Sequence, residues 1–347
     1  MAGAHDSRDP RSPETLCARH LLLLDEEVEP SDVIALVTNH FPALAEPVVV
    51  ADADPRWGHE VLEWRLTRHS RLHGPMFVPA AVRAELELPD WATRVFALVC
   101  PRDREPAPPP SWLTDSDGLH LFFPAGLPNR EEGRSLDLLI ALARRLHLAL
   151  RLADEPVDPL ALEAPSASRA ALAAAADAPA RILVPDPEAH VDVFVYSPYW
   201  LAPDVLLARL TEVDAGAREP DPVPPEALEK IAHLISADDP EMRDGYAVEV
   251  PLDSLGPRAG LLEIGVLVEE ALPRAVAAHL ESPQVMYHLR WVDTEQRRYL
   301  PEIDAELRRI RTAAALRLDR LAAEVMRLTA GVGVDQDGFL LSEHQLG

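Results

Sequence analysis

The chain has 347 residues, of which 48% are hydrophobic, and its formal net charge is −25. A chain of this length exceeds the usual size of a single hydrophobic core, so we expect two domains. The acidic charge repels nucleic acid, and no basic patch in the sequence overrides it. The composition therefore argues against a nucleic-acid partner.

The N-terminus, the apolar stretches and the cysteines predict the cellular location. Residues 1–15 are polar where a secretory signal would be basic and then apolar, and we expect them to be disordered. The most apolar helical stretch, 136–152, is interrupted by one acid and three arginines, which excludes a membrane span. Cys17 and Cys100 form no Cys-x-x-Cys pair, so neither a disulfide framework nor a zinc site is predicted. These features favour a cytoplasmic protein.

The first half opens with a strand and a helix. A run of four leucines begins at Leu21, and the Ser31-Asp32 pair is typical of a helix start. Near the end of this half, apolar residues at helical spacing in 136–146 give way to alternating leucines in 148–152, which predicts a helix and then a strand. The intervening strand candidates are Pro47–Ala51, Val61–Leu66, Val95–Cys100 and Leu119–Phe123.

An apolar run followed by Asp-x-Asp occupies residues 48–54. This pattern resembles the nucleophile motif of haloacid-dehalogenase-type phosphatases. The resemblance implies that Asp52 is the attacking carboxylate, that Asp54 is the acid/base, and that Mg²⁺ neutralises the phosphoryl charge. It also implies a doubly wound sheet, and Pro55 stands where the family has Thr or Val. A strand that ends in a polar turn is the simpler interpretation.

Two histidines follow at a spacing that could serve a metal. His69 and His73 are four residues apart, so a helix would place both on one face, with His59 or Glu60 as a third ligand. Arginine and glycine surround the pair, which indicates instead an exposed turn with solvated histidines. We therefore predict no metal site.

The halves are joined by an alanine-rich stretch, 161–184, which is either a linker or a connecting helix. It separates a predicted N-terminal domain, 16–160, from a predicted C-terminal domain, 185–347. The proline-rich stretch Glu105–Pro110 is predicted to be an exposed spacer, with recognition of a partner as the alternative.

The second half repeats the order of predicted elements. A strand begins at Val193, and Pro203-Asp204 opens a helix. A long helix with one apolar stripe is predicted over 302–330, with Gly331 as its C-cap and a final strand from Val332. The strand candidates between the two helices are Tyr246–Val250, Leu261–Val268 and Val285–Trp291.

Three large aromatic residues follow the strand that begins at Val193. Tyr196, Tyr199 and Trp200 fall within five residues, and they either cap the core or line a recognition surface. They are the partner-binding candidates that the sequence offers.

The order of elements and the phrases Leu136–Pro156 and Leu318–Gly338 together predict an internal duplication. Six of the 21 aligned residues are identical, and both phrases change from helical to strand period at the same point. We expect an α+β fold of two related layered domains, each with a small mixed or antiparallel sheet packed on helices.

The sequence favours a protein without catalytic activity. It contains no phosphate-binding loop, no dinucleotide-binding glycine motif and no nucleophile elbow, so no cofactor is predicted. We expect a protein-interaction or regulatory module that has a protein partner or associates with itself. A Mg²⁺-dependent phosphohydrolase that uses Asp52 and Asp54 is the alternative.

Overall fold

The protein is described by a computed structural model. Helices and two antiparallel sheets make up its regular structure, so it is an α+β protein, as predicted. It divides into two compact units, Met1–Thr38 with Ala43–Pro187, and Asn39–Pro42 with Glu188–Gly347. Among the described residues, no helix is both long enough and apolar enough to cross a membrane. The described residues are 9–110, 113, 117–154, 181–222, 245–293, 295 and 304–346.

The first unit is built on a seven-stranded sheet with the order β2-β3-β4-β5-β1-β6-β7, in which every neighbouring pair is antiparallel. The elements in chain order are α1 (Pro13–Cys17), β1 (His20–Leu24), α2 (Pro30–His40), β2 (Val48–Ala51), β3 (Val61–Arg65), β4 (Arg71–Phe77), α3 (Ala80–Glu85), β5 (Arg94–Val99), α4 (Leu119–Phe122), α5 (Arg130–Arg145), β6 (Ala149–Arg151) and β7 (Ile182–Leu183).

The central strand β1 is buried along its whole length. Leu21 and Leu23 belong to a core cluster on one side of the sheet, together with Leu16 of α1 and Leu86. The long helix α5 also packs against β1 and β6. Because every side chain of β1 is buried, on either face of the sheet, its sequence is an apolar run after His20 rather than an alternation of polar and apolar residues.

The second unit is built on a six-stranded sheet with the order β13-β12-β8-β11-β10-β9, which is antiparallel throughout. One face packs on the helices α6 and α8. The elements in chain order are β8 (Val193–Ser197), α6 (Pro203–Val213), β9 (Tyr246–Pro251), β10 (Leu261–Glu269), α7 (Arg274–Ala277), β11 (Gln284–Val292), α8 (Ala305–Thr329), β12 (Val332–Asp335) and β13 (Leu340–Leu341).

Helix α8 has clear signals at both ends. The Asp304 side chain accepts a hydrogen bond from the Leu307 N–H at 2.7 Å, which satisfies one of the unpaired donors of the first turn. At the other end Ala330 takes the left-handed conformation, with φ of 46°. Gly331, predicted to be the cap, is required for close packing instead, because an added Cβ would lie 2.6 Å from Val195 Cγ1.

The two sheets resemble each other in the order of their connections. In each, the first strand of the unit (β1 or β8) is followed by a helix and then by a run of antiparallel strands, which has four members in the first unit (β2, β3, β4 and β5) and three in the second (β9, β10 and β11). The last strand of the run, β5 or β11, pairs with the first strand of the unit. A long helix then leads to a further strand, β6 or β12, on the other edge of the first strand.

The structure corrects three sequence-based expectations. Leu119–Phe123 is not a strand: Leu119–Phe122 forms the helix α4, and the Phe123 ring is buried beneath the guanidinium of Arg104. So short an apolar run does not distinguish a helix from a strand. Residues 71–77 form the strand β4 rather than an exposed turn. The predicted disordered terminus contains the start of α1 at Pro13, and residues 1–8 lie outside the described residues, as does most of the predicted join at 161–184.

We expect Leu318→Ala to lower the free energy of unfolding by about 2–5 kcal/mol, because Leu318 of α8 is fully buried in the core of the second unit. Leu316, two residues earlier on the same helix, is 56% exposed, so Leu316→Ala should change it by less than about 0.5 kcal/mol. Urea denaturation followed by circular dichroism measures both variants. Equal losses of unfolding free energy in the two variants would mean that α8 does not pack against the sheet through the face that contains Leu318.

Candidate functional site

Asp52 and Asp54 lie just after the edge strand β2. The Asp54 carboxylate is 3.0 Å from an Arg56 guanidinium nitrogen, and hydrogen bonds from Arg56 lower the pKa of Asp54 to about 2. Asp52 accepts a hydrogen bond from Arg11 through its backbone carbonyl, and its side chain is exposed. This antiparallel edge is not the doubly wound sheet that the phosphatase resemblance implies. The geometry gives that alternative no support.

His69 and His73 do not share a helical face, and only His69 lies in an exposed turn as the sequence predicts. His69 is exposed in the turn between β3 and β4, whereas His73 is buried within β4. An Arg19 N–H group donates to His73 Nδ1 at 3.2 Å, so the proton on Nε2 is the one that points to Glu63 at 2.8 Å.

The third metal-ligand candidates, His59 and Glu60, are both exposed. Over the described part of the chain, no group of three or more His, Cys, Asp or Glu side chains is placed to hold a metal ion.

A buried polar network that the sequence did not reveal links β1 to α5. Glu132, in the first turn of α5, has no exposed side-chain surface, and its Oε1 lies 3.1 Å from His20 Nε2. Ala153 N–H donates to His20 Nδ1 at 3.2 Å, so His20 is the Nε2–H tautomer and donates to Glu132. The other donors to Glu132 are the side chains of Arg102 and Arg104 and the backbone N–H of Asp103.

This network fixes the charges of its members. Burial alone raises the pKa of Glu132, but the hydrogen bonds from His20, Asp103 and Arg104 outweigh it and bring that pKa to about 2. Burial lowers the pKa of His20, which is therefore neutral at pH 7. Nearby, burial and the charge of Glu132 raise the pKa of the Cys100 thiol to about 12. A neutral thiol is a poor nucleophile, so Cys100 is not activated for chemistry.

The structure separates the three aromatic candidates of the second unit. Tyr196 is only 5% exposed and packs with Val276 and Val334 on the sheet face opposite α8, so it caps a core. Tyr199 is 61% exposed and Trp200 is 40% exposed. We call these two side chains, which follow the end of β8, the Tyr199–Trp200 surface.

The backbone beneath the Tyr199–Trp200 surface is held from two sides. The buried Ser197 hydroxyl donates to Thr329 O at 2.9 Å and accepts from Tyr199 N–H at 3.1 Å. The Tyr287 hydroxyl donates to Tyr199 O at 2.7 Å and accepts from Leu201 N–H at 2.9 Å.

The surroundings of the Tyr199–Trp200 surface are aromatic and acidic. The Trp200 ring packs edge to face on Tyr246, with ring centroids 5.5 Å apart, and the Tyr246 hydroxyl donates to Leu201 O at 2.5 Å. Burial raises the pKa of Tyr246, and the charges of Tyr287 and of exposed Asp204 raise it further. In the same first turn of α6, Val205 is exposed.

No protein family, curated protein or solved structure matches this chain. Functional proposals therefore depend on the geometry of the two units.

We expect the protein to lose stability as the pH falls, in two steps. His20 stays neutral in the fold but takes up a proton below about pH 6.5 once unfolded, so acidification below that value favours unfolding. Glu132 is ionised in the fold down to about pH 2 and in the unfolded chain only above about pH 4.5, so further stability is lost between these values.

Urea midpoints measured from about pH 7.5 down to about pH 2 test both steps. His20→Gln should flatten the first step, although His73, whose pKa burial also lowers, retains part of it. Exposed His69 provides the matched control, and His69→Gln should leave the profile unchanged. A profile that His20→Gln does not alter would show that His20 is not held neutral.

Proposed function

We propose that this protein is a non-catalytic interaction module whose second unit binds a basic segment of a partner protein on the Tyr199–Trp200 surface. The observation that carries the proposal is a pair of large, exposed aromatic side chains on a backbone fixed by hydrogen bonds. Surface tryptophan and tyrosine are the residues most enriched where binding energy concentrates.

The rigidity of this loop supports a role in recognition. A flexible loop would lose conformational freedom on binding, which opposes association. Here the hydroxyls of Ser197, Tyr246 and Tyr287 already order the backbone from Tyr199 to Leu201. The unbound protein therefore presents both aromatic side chains from a backbone that binding need not order.

Charge favours a basic occupant. The chain carries a net charge of −25, so a cationic partner is attracted at long range. At short range the faces of Tyr199 and Trp200 can bind a guanidinium or ammonium group through cation–π contacts, and Asp204 supplies a carboxylate nearby. A second copy of this chain has the same negative charge, so charge opposes self-association at this surface.

The state of the most reactive side chains in the first unit supports the proposal that the protein is not catalytic. Both ring nitrogens of His20 are engaged by the protein, and the Cys100 thiol is neutral. Asp54 is paired with Arg56. Cys17 and Cys100 are free cysteines, which is consistent with the cytoplasmic location that we propose.

The two units, in this proposal, are copies of one ancestral unit. The order of their connections supports this, because a first strand hydrogen-bonded on both edges recurs with a helix, a run of four or three antiparallel strands, a long helix and a further strand in the same sequence. The aligned phrases Leu136–Pro156 and Leu318–Gly338 support it independently. Only the second copy, in this proposal, retains the exposed aromatic pair as its binding surface.

We expect an eight-residue peptide of alternating arginine and serine to bind the wild-type protein, and Tyr199→Ala/Trp200→Ala to weaken that binding roughly 30-fold, the equivalent of about 2 kcal/mol. Isothermal titration calorimetry at two salt concentrations measures the dissociation constant of the peptide for each protein. Val268→Ala removes an exposed apolar side chain from β10 of the same unit and should bind as the wild type does.

Asp204→Asn should weaken binding less than the aromatic double variant and reduce its salt dependence. Equal binding by the wild type and the double variant would show only nonspecific attraction and would overturn the proposal. A glutamate-serine peptide that binds as well, or sedimentation showing that copies associate through Tyr199 and Trp200, would refute a basic occupant.

A further inference from the structure

A cavity of about 240 Å³ lies in the first unit, where α1 meets β1 and β5 ends. Its wall includes the side chains of Thr15, Arg19, His20, Cys100 and Arg102. The volume is below the range of about 300–1,000 Å³ that is usual for pockets that hold drug-sized molecules. A ligand for it would be a small molecule rather than a polymer.

On the His20 side, the cavity wall carries the guanidinium of Arg102 beside the neutral imidazole of His20. Behind the wall, Arg102 and Arg104 both bind the carboxylate of Glu132.

Another part of the cavity wall carries the guanidinium of Arg19. Arg19 donates to a neutral histidine, His73, and the Glu63 carboxylate behind that histidine also binds Arg71. The described wall also contains the carboxylate of Glu14, an exposed residue. Two guanidinium groups thus line one small cavity in a protein whose net charge is −25.

We propose that this cavity binds a small oxyanion, a carboxylate or a phosphate. Guanidinium groups are the side chains best suited to bind such planar or tetrahedral oxyanions. Arg102 is already held by Glu132 and by the backbone carbonyls of Ala18 and Asp154, so it loses little freedom on binding. The Thr15 hydroxyl accepts from Ser12, which leaves its own O–H to donate to the ligand.

The location of the cavity links ligand binding to the stability of the first unit. The cavity touches the strand ends of β1 and β5 and, through His20 and Arg102, the network that anchors α5. An oxyanion bound there stabilises the folded first unit in proportion to its concentration. This site lies in the first unit and does not depend on the Tyr199–Trp200 surface.

Titration of the full chain with inorganic phosphate, acetate and succinate tests the proposal, with sodium chloride at matched ionic strength as the reference. We expect saturable binding of at least one of these anions, detected by calorimetry and by a rise in the melting temperature beyond that in chloride. Whether phosphate or the carboxylates bind more tightly identifies the source of the oxyanion.

Two variants locate the site. Arg19→Gln should weaken binding at least tenfold, and Ala18→Leu, which keeps every arginine but fills space at the cavity wall, should weaken it as well. Arg56→Gln removes an exposed arginine that pairs with Asp54 outside the cavity wall, and it should bind as the wild type does. Circular dichroism confirms that each variant is folded.

The proposal is overturned if none of the three anions binds saturably to the wild-type protein. It is also overturned if folded Arg19→Gln and Ala18→Leu bind with wild-type affinity, because binding would then lie elsewhere.

Discussion

Each unit depends on a first strand that is hydrogen-bonded along both edges. β1 lies between β5 and β6, and β8 lies between β11 and β12. Because one neighbour comes from the end of the preceding run of antiparallel strands and the other follows the long helix, neither sheet is complete until the chain has returned through that helix. The side chains of β1 are all buried, and those of β8 enter core clusters on both faces of its sheet, so neither strand alternates polar and apolar residues.

The same constraint places the two proposed binding sites at the ends of these first strands. At the start of β1, His20 binds Glu132 in the first turn of α5, and the small cavity opens beside it. At the end of β8, Ser197 binds the Thr329 carbonyl in the last turn of α8, and the exposed aromatic pair follows. In both units, a polar contact between first strand and long helix holds the backbone from which the site is built.

Much of the secondary structure could be predicted from the residue pattern, because β1 is largely an apolar run and β9, β10 and β11 alternate between more and less buried residues. Strand β4 could not, since its sequence RLHGPMF contains Gly74, Pro75 and a charged residue that are typical of turns. Gly74 is there because an added Cβ would lie 2.5 Å from the Phe96 ring on the next strand. Only the neighbouring strand explains that residue.

The sequence by itself determined the α+β class, the positions of the long helices and the presence of an aromatic cluster around the end of β8, because these depend on local period and residue type. Tertiary structure alone decided which aromatic side chains are exposed, since Tyr196 turns toward Val276 while Tyr199 and Trp200 do not. It also decided that His20 and Glu132 meet across 112 positions of sequence. Such contacts depend on how the strands pair, and no local pattern of residues contains that information.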